Sequence, residues 1–150
     1  MKILTWNILH KDFTGIEHIN DDAKYIEWEY RFPLIKQKIQ EVDADIVCLQ
    51  EVDGRDIEEF KQLGYQLVFQ DDKRRLKALE KAKEPSAKKQ HTAVLVMLIK
   101  PEHKIVKHLV GSRTLTVEIV FRGNQVMSSM TETETTSSAE QTKIVISNVH

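Results

Sequence analysis

Apolar and polar residues alternate with period two at the start of the chain. Between Lys2 and Leu9, Ile3, Thr5 and Asn7 fall on one face and Leu4, Trp6 and Ile8 on the other, which predicts a strand. Residues 10–24 are polar and read as loop. Leu34, Ile35, Ile39 and Val42 then recur at helical spacing, so a helix is predicted over Pro33–Val42 with Pro33 in its first turn. The run from Asp45 to Glu51, Asp-Ile-Val-Cys-Leu-Gln-Glu, is apolar on both faces, as in a strand inside a layered fold. Asp56 with Glu59 three residues on predicts a capped short helix, with Ile57, Phe60 and Leu63 as its inner stripe and Gly64 as its terminator. Further strands are predicted at Tyr65–Phe69, Ala93–Ile99, Ile105–Val110, Leu115–Phe121 and Lys143–Val149. A turn is read at Pro101-Glu102-His103, and residues 105–121 read as an antiparallel ribbon.

Two segments interrupt this pattern. Residues 71–90 are polar and basic, with a helical stretch at Ala78–Lys83 that Pro85 ends. Residues 123–142 are dense in Ser, Thr and Glu and low in large apolar side chains, which predicts a flexible insertion within one domain spanning 1–150. The order strand, helix, strand, short helix, strands implies mixed α and β structure with a largely antiparallel sheet.

Composition sharpens this picture at three points. With 150 residues, 41% hydrophobic and 30% charged, the chain has the balance of a soluble globular domain. The net charge of −1 conceals an asymmetry: residues 1–63 carry 14 acids and 8 bases, and residues 73–90 carry 8 bases and 2 acids. The basic block suits a polyanionic ligand, although the whole-chain charge carries no nucleic-acid signal. The single cysteine, Cys48, excludes a disulfide framework and a cysteine-rich zinc site, and fits an intracellular, reducing compartment, cytoplasmic or nuclear. No stretch approaches the ~18 apolar residues of a membrane span, and the N-terminus lacks the pattern of a secretory leader.

The candidate chemistry lies at strand ends. Glu51 and Asn7 each close an otherwise oily strand, where a polar group without a partner would cost about 1–3 kcal/mol. They read as a metal carboxylate and its polar partner facing a cleft. On the last strand Ile144, Ile146, Asn148 and His150 share a face, so Asn148 and His150 emerge together, suited to hydrogen-bonding an oxyanion such as phosphate. Lys73, Arg74 and Arg75 are candidates for phosphate contacts. Each has a plainer reading when taken singly: Glu51 as a surface ion pair or helix cap, His150 as a surface residue, the basic block as a solvated face. No His-x-x-x-His, glycine-rich phosphate loop or nucleophile elbow is present.

Taken together, Trp6-Asn7, Trp28-Glu29-Tyr30-Arg31, the Asp45–Asp53 segment with its Leu-Gln-Glu-Val-Asp, and Asn148-Val149-His150 resemble the endonuclease/exonuclease/phosphatase superfamily. The Trp-x-Tyr-Arg, the Leu-Gln-Glu-Val-Asp strand end and Gly64-Tyr65 are most similar to its branch of deadenylases, nocturnin and 2'-phosphodiesterases. The resemblance implies a DNase I-like four-layered α/β sandwich, two central, mainly antiparallel sheets flanked by helices. It also implies a Mg²⁺-dependent phosphodiesterase, with Mn²⁺ as an alternative, acting on a phosphodiester substrate, RNA or another nucleic acid foremost. On matching positions Glu51 would be the metal ligand, Asn7 the support of the metal and nucleophile region, His150 the donor to a non-bridging phosphate oxygen, and Asn148 a substrate contact.

The departures from the family pattern bear on activity. The family's second-half Asp-x-Asn and Ser-Asp-His motifs have no match, and Gln90-His91-Thr92-Ala93 stands where many deadenylases carry Gly-Cys-Ala. The resemblance therefore implies the N-terminal half of such a domain, without appreciable turnover as an isolated chain. Two other readings stand beside it. One is a non-catalytic half-domain that associates with itself or with a missing half through an uncovered sheet. The other is a lipid or inositol-phosphate phosphodiesterase, since the fold does not choose among substrates.

Overall fold

The alternation at the N-terminus forms β1 (Ile3–Asn7), with Leu4 and Trp6 packed on the core and Ile3, Thr5 and Asn7 exposed. In the computed structural model, which describes residues 1–11, 25, 27–70, 93–121 and 142–150, there follow α1 (Trp28–Val42), β2 (Ile46–Asp53), α2 (Ile57–Lys61) and β3 (Gln66–Phe69). The chain continues through β4 (Ala93–Ile99), β5 (Lys104–Val110), β6 (Thr114–Phe121) and β7 (Thr142–Val149). A four-stranded sheet has the order β1-β2-β4-β3, and a three-stranded sheet the order β5-β6-β7. β1 and β2 are parallel, and every other pair is antiparallel. A parallel pair needs a crossover connection, and α1 lies in it.

Burial explains the layering. Phe32, Ile35 and Ile39 of α1, with Ile57 and Phe60 of α2, cover Val47, Leu49, Val52, Val94, Val96 and Leu98 on one face of the first sheet. Its other face, with Ile46, Cys48, Leu95, Met97 and Ile99, packs on Leu115, Val117 and Ile119 of the second sheet. β2 and β4 are thus covered on both sides, which is why they read as unbroken apolar runs. Each such side chain contributes about 1.5–3 kcal/mol on full burial, so the stacking of helices, sheet and sheet follows from the pattern. This is the α/β sandwich expected of the DNase I-like type, with three of its four layers among the described residues. The outer face of the second sheet exposes Leu109, Val145 and Val149. No helix among the described residues is long and apolar enough to cross a membrane.

Three local expectations are corrected. α1 begins at Trp28, five residues before the expected start, and Pro33 lies inside it. Trp28 stacks on Phe32 at 4.8 Å, Phe32 meets Phe60 edge-on at 5.3 Å, and Arg31 reaches back to the end of β1. These tertiary contacts outweigh the lost hydrogen bond of an interior proline. Asp56 makes no side-chain cap; its carboxylate binds Lys11 Nζ at 2.9 and 3.2 Å instead. α2 ends earlier than expected, at Lys61 with Gln62 as its C-cap, and Gly64 takes φ +80° in the turn beyond it, its N–H donating to Lys61 O at 3.3 Å. The basic segment with Lys73, Arg74 and the Ala78–Lys83 helix, and the 123–142 insertion up to residue 141, lie outside the described residues; Thr142 opens β7.

Candidate active site

The site is built where β1 and β2 end side by side. Asn7 is the register partner of Gln50, and the chain then turns, with the Ile8 N–H donating to Gln50 O at 3.1 Å. Leu9 takes φ +55°, which lets its N–H donate to Asn7 Oδ1 at 3.0 Å. On β2 the register against β4 shifts between Leu49 and Val52, and Glu51 sits in this bulge at φ +56°. A bulge re-aims side chains. A non-glycine residue at positive φ costs about 1–2 kcal/mol and persists only where its surroundings fix it.

Those surroundings converge on the Glu51 carboxylate. Its Oε1 accepts Asn7 Nδ2–H at 2.8 Å and lies 3.0 Å from His150 Nε2, and its Oε2 accepts the His10 N–H at 3.3 Å. The Glu51 side chain is 15% exposed and that of His150 is 50% exposed, so the cluster opens to solvent on the histidine side. Burial pushes the Glu51 carboxyl up, but the hydrogen bonds from Asn7, His150 and the His10 N–H outweigh it and hold the group below its ordinary value. Glu51 is an anion at neutral pH. Its contribution to stability is therefore complete above the unfolded carboxylate value of about 4.3 and is lost as pH falls through the lower folded value.

Asn148 is placed differently from the expectation. It is 2% exposed, its Nδ2 donates to Leu49 O at 2.9 Å and to Val96 O at 3.2 Å, and its Oδ1 accepts Gln50 Nε2–H at 2.6 Å. Both N–H positions of this buried Nδ2 are taken by backbone carbonyls, which leaves no donor for a phosphate oxygen. It docks β7 on β2 and β4 and so places His150, two residues on, beside Glu51. Asn7, Glu51 and His150 are brought together as predicted.

Three further residues belong to this neighbourhood without having been singled out as site residues by pattern. His10 and Asp53 are both wholly buried, with Nε2 3.3 Å from Oδ2. Asp53 also accepts the Arg55 N–H, the Arg55 guanidinium and an ion pair from Lys11. Burial raises the Asp53 carboxyl, but His10 and Arg55 bring it well below the usual range. Arg31 donates from Nη1 to Ile8 O at 2.9 Å and from Nη2 to Leu9 O at 3.2 Å. Asp53 had a signal in the sequence, a second carboxylate two residues past Glu51; His10 had none beyond its polarity.

The donor set suits a hard divalent cation. An ionised carboxylate has about four acceptor sites, and Glu51 fills three with Asn7, His150 and the His10 N–H. Asn7 turns its Nδ2 to this carboxylate and its Oδ1 to the Leu9 N–H, and Mg²⁺ takes one or two carboxylates together with waters and substrate oxygens. Cys48 takes no part: burial pushes its thiol up to about 11. Asp45, Glu102 and His103 also bring ligand atoms within 4.8 Å of one another. This second group is at the other end of β2, roughly 20 Å from Glu51 at about 3.3 Å per residue. There Asp45 already holds the Lys2 N–H and faces the N-terminal ammonium at 3.8 Å and Lys100 Nζ at 3.9 Å.

The backbone at Glu51 yields a direct test. Glu51→Gly and Glu51→Ala both remove the carboxylate, but only glycine relieves the positive φ. The glycine variant is expected to be more stable than the alanine variant by about 1 kcal/mol, read from urea midpoints. Equal midpoints would mean that the bulge relaxes once the side chain is gone.

The model of the Endonuclease/Exonuclease/phosphatase family matches residues 4–109, from β1 into β5, and so includes Asn7 and Glu51. Among solved structures, ANGEL2, described as a 2',3'-cyclic phosphatase in complex with adenosine-2',3'-vanadate, superposes with a TM-score of 0.59 at 16% identity, over 79% of this chain and 36% of its own. The human Nocturnin catalytic domain with bound sulfate gives 0.57 at 18%, over 98% and 48%. A functionally unknown conserved protein from Enterococcus faecalis V583 gives 0.57 at 14%, over 100% and 52%. No curated protein sequence matches. The chain spans between about a third and a half of the length of these structures, and over that span it keeps their fold. With the family pattern running from β1 through the Glu51 bulge and the same sandwich recurring in the solved structures, the chain belongs to the endonuclease/exonuclease/phosphatase family.

Proposed function

We propose that this chain carries the metal-side half of a phosphodiester-hydrolase site, with Glu51 as the ligand of Mg²⁺, or of Mn²⁺ in its place. The observation that carries the reading is the meeting of Asn7, Glu51 and His150 at one carboxylate oxygen, Oε1, from three strands in two sheets. The bound cation would supply Lewis-acid stabilisation of charge building on the phosphoryl oxygens.

The chain's own residues do the positioning. Asn7 fixes the rotation of the Glu51 carboxylate, since an amide N–H to one oxygen leaves the other directed to the His10 N–H. His150, half-exposed beside it, would donate a ring N–H to a non-bridging phosphate oxygen. Asn148 supports His150 from below and does not touch substrate. A nucleic acid is the favoured substrate class, and the branch of deadenylases and nocturnin the favoured affinity. In support, one neighbour is described as a 2',3'-cyclic phosphatase bound to an adenosine derivative, another holds sulfate, and the basic block with Lys73 and Arg74 would attract a phosphate backbone without regard to sequence. General-base and orienting groups commonly contribute about 10²–10⁴-fold each. The motifs that supply them in the family are absent here, so the isolated 150 residues are expected to show no appreciable turnover.

Metal binding tests the reading without turnover. Titration of the isotope-labelled chain with Mn²⁺ is expected to broaden the amide signals of Asn7, Glu51 and His150 first, and Glu51→Gln to remove that effect. Broadening centred on Asp45, Glu102 and His103 instead would refute Glu51 as the ligand.

A further inference from the structure

We infer that Arg31 and Asp53 are positioning residues that pin the turn at residues 8–10 from two sides and thereby aim the Glu51 carboxylate. The inference rests on the reading of Glu51 as a metal ligand, and its geometry is independent of that reading. The turn is the only described backbone that donates to the Glu51 and Asn7 acceptors: the His10 N–H reaches Glu51 Oε2 at 3.3 Å and the Leu9 N–H reaches Asn7 Oδ1 at 3.0 Å. Both bonds require Leu9 to stay at φ +55°, a conformation a leucine does not hold by preference.

Two contacts hold it there. On the helix side, the planar Arg31 guanidinium grips consecutive carbonyls, Ile8 O at 2.9 Å and Leu9 O at 3.2 Å, which fixes the peptide planes whose N–H groups point at the site. Arg31 is itself seated over the Trp28 ring, 5.4 Å from its centroid. On the interior side, the His10 ring lies 3.3 Å from Asp53 Oδ2 with both side chains at 0% exposure. Asp53 is in turn tied to the Arg55 guanidinium and backbone N–H and to Lys11. β2 therefore supplies two carboxylates with divided labour. Glu51 faces the cleft, and Asp53, two residues on, anchors the residue whose N–H orients Glu51. Outer partners of this kind usually change metal affinity by about 10–100-fold.

Arg31→Lys is the decisive variant, since lysine keeps the charge and loses the two-carbonyl fork. Two measurements on the purified 150-residue chain read it. In metal-free protein, amide hydrogen exchange at Leu9 and His10 is expected to rise about tenfold relative to the rest of β1 and β2. Exchange unchanged at both amides would overturn the inference whatever the metal does. In the Mn²⁺ titration, on fully folded protein, Arg31→Lys and Asp53→Asn are each expected to weaken binding at Glu51 about tenfold, Arg31→Lys by more than the fall in its urea midpoint accounts for. Mn²⁺ affinity equal to that of the parent in Arg31→Lys, with binding abolished in Glu51→Gln, would sink the positioning role and leave the metal reading standing. Parent-like affinity in Glu51→Gln would sink the metal reading and leave the exchange result to judge the turn. If Asp53→Asn fails to fold, Arg31→Lys decides alone, and a loss of affinity that merely follows a lower midpoint overturns the inference.

Discussion

On the proposed reading, Glu51→Gln, introduced into a family protein of full length that contains this chain, is expected to lower Mg²⁺-dependent phosphodiester hydrolysis by about 10³-fold. Glutamine keeps the shape and the positive φ but has one acceptor oxygen for the two that serve Asn7 and the His10 N–H, so it removes the negative charge and one of these two hydrogen bonds. A Mg²⁺ ligand needs that charge more than it needs a hydrogen-bond acceptor. His150→Ala should act differently, mainly through loss of a donor to phosphate, with Mn²⁺ affinity weakened by about tenfold at most through the lost contact with Glu51 Oε1. The pair of variants separates the two roles: Glu51→Gln should fail to recover at any attainable Mg²⁺ concentration, and His150→Ala should still saturate with Mg²⁺ but at a lower rate. Full activity of Glu51→Gln, measured as initial rates on an RNA oligonucleotide, would end the assignment of Glu51 as the ligand.

Glu51, Asn7 and His150 stood out in the sequence as polar residues at the ends of strands whose other residues belong inside, and it was the resemblance to the family that joined them into one candidate site. An apolar run fixes where a strand lies in the stack, and a polar residue at its end has to face an opening. The same logic located β2 and β4, because only strands covered on both faces carry Val, Ile, Leu and Met at consecutive positions. It failed where tertiary contacts decide. The start of α1 was hidden because Pro33 marks a helix start by local preference, whereas Trp28, Arg31 and Phe32 earn their helical turn by stacking and by reaching β1. Asp56 had the spacing of a cap, but Lys11, 45 residues away in sequence, takes its carboxylate.

Depth was the other quantity that pattern did not give. Period two assigns Asn148 and His150 to one face, and the alternation holds. It does not say that the face is sealed at Asn148 and open at His150. The bulge between Leu49 and Val52 hides the pairing of His10 with Asp53 for a related reason, since it breaks the alternation from which their directions would be read.

The sealed position of Asn148 sets the largest expected effect on stability. Asn148→Leu preserves side-chain volume and removes the only amide that reaches across from β7 to both Leu49 O and Val96 O. Gln50 loses its shortest partner as well, keeping Thr5 Oγ1 and Cys48 O at 3.2 Å each. Two buried carbonyls without that donor, at about 1–3 kcal/mol each with partial relaxation, give an expected loss of about 2–4 kcal/mol. It should appear as a lower urea midpoint at an unchanged slope. Ser147→Ala, one residue earlier and on the exposed face, should stay within about 0.5 kcal/mol of the parent, because its hydroxyl meets only Thr116 Oγ1 in solvent. β7 carries His150, so the Asn148→Leu chain should also lose the Mn²⁺-induced broadening at His150 before it loses that at Asn7. A variant as stable as the parent would show that the two carbonyls do without Asn148, and would return its amide to the list of groups that a phosphate can claim.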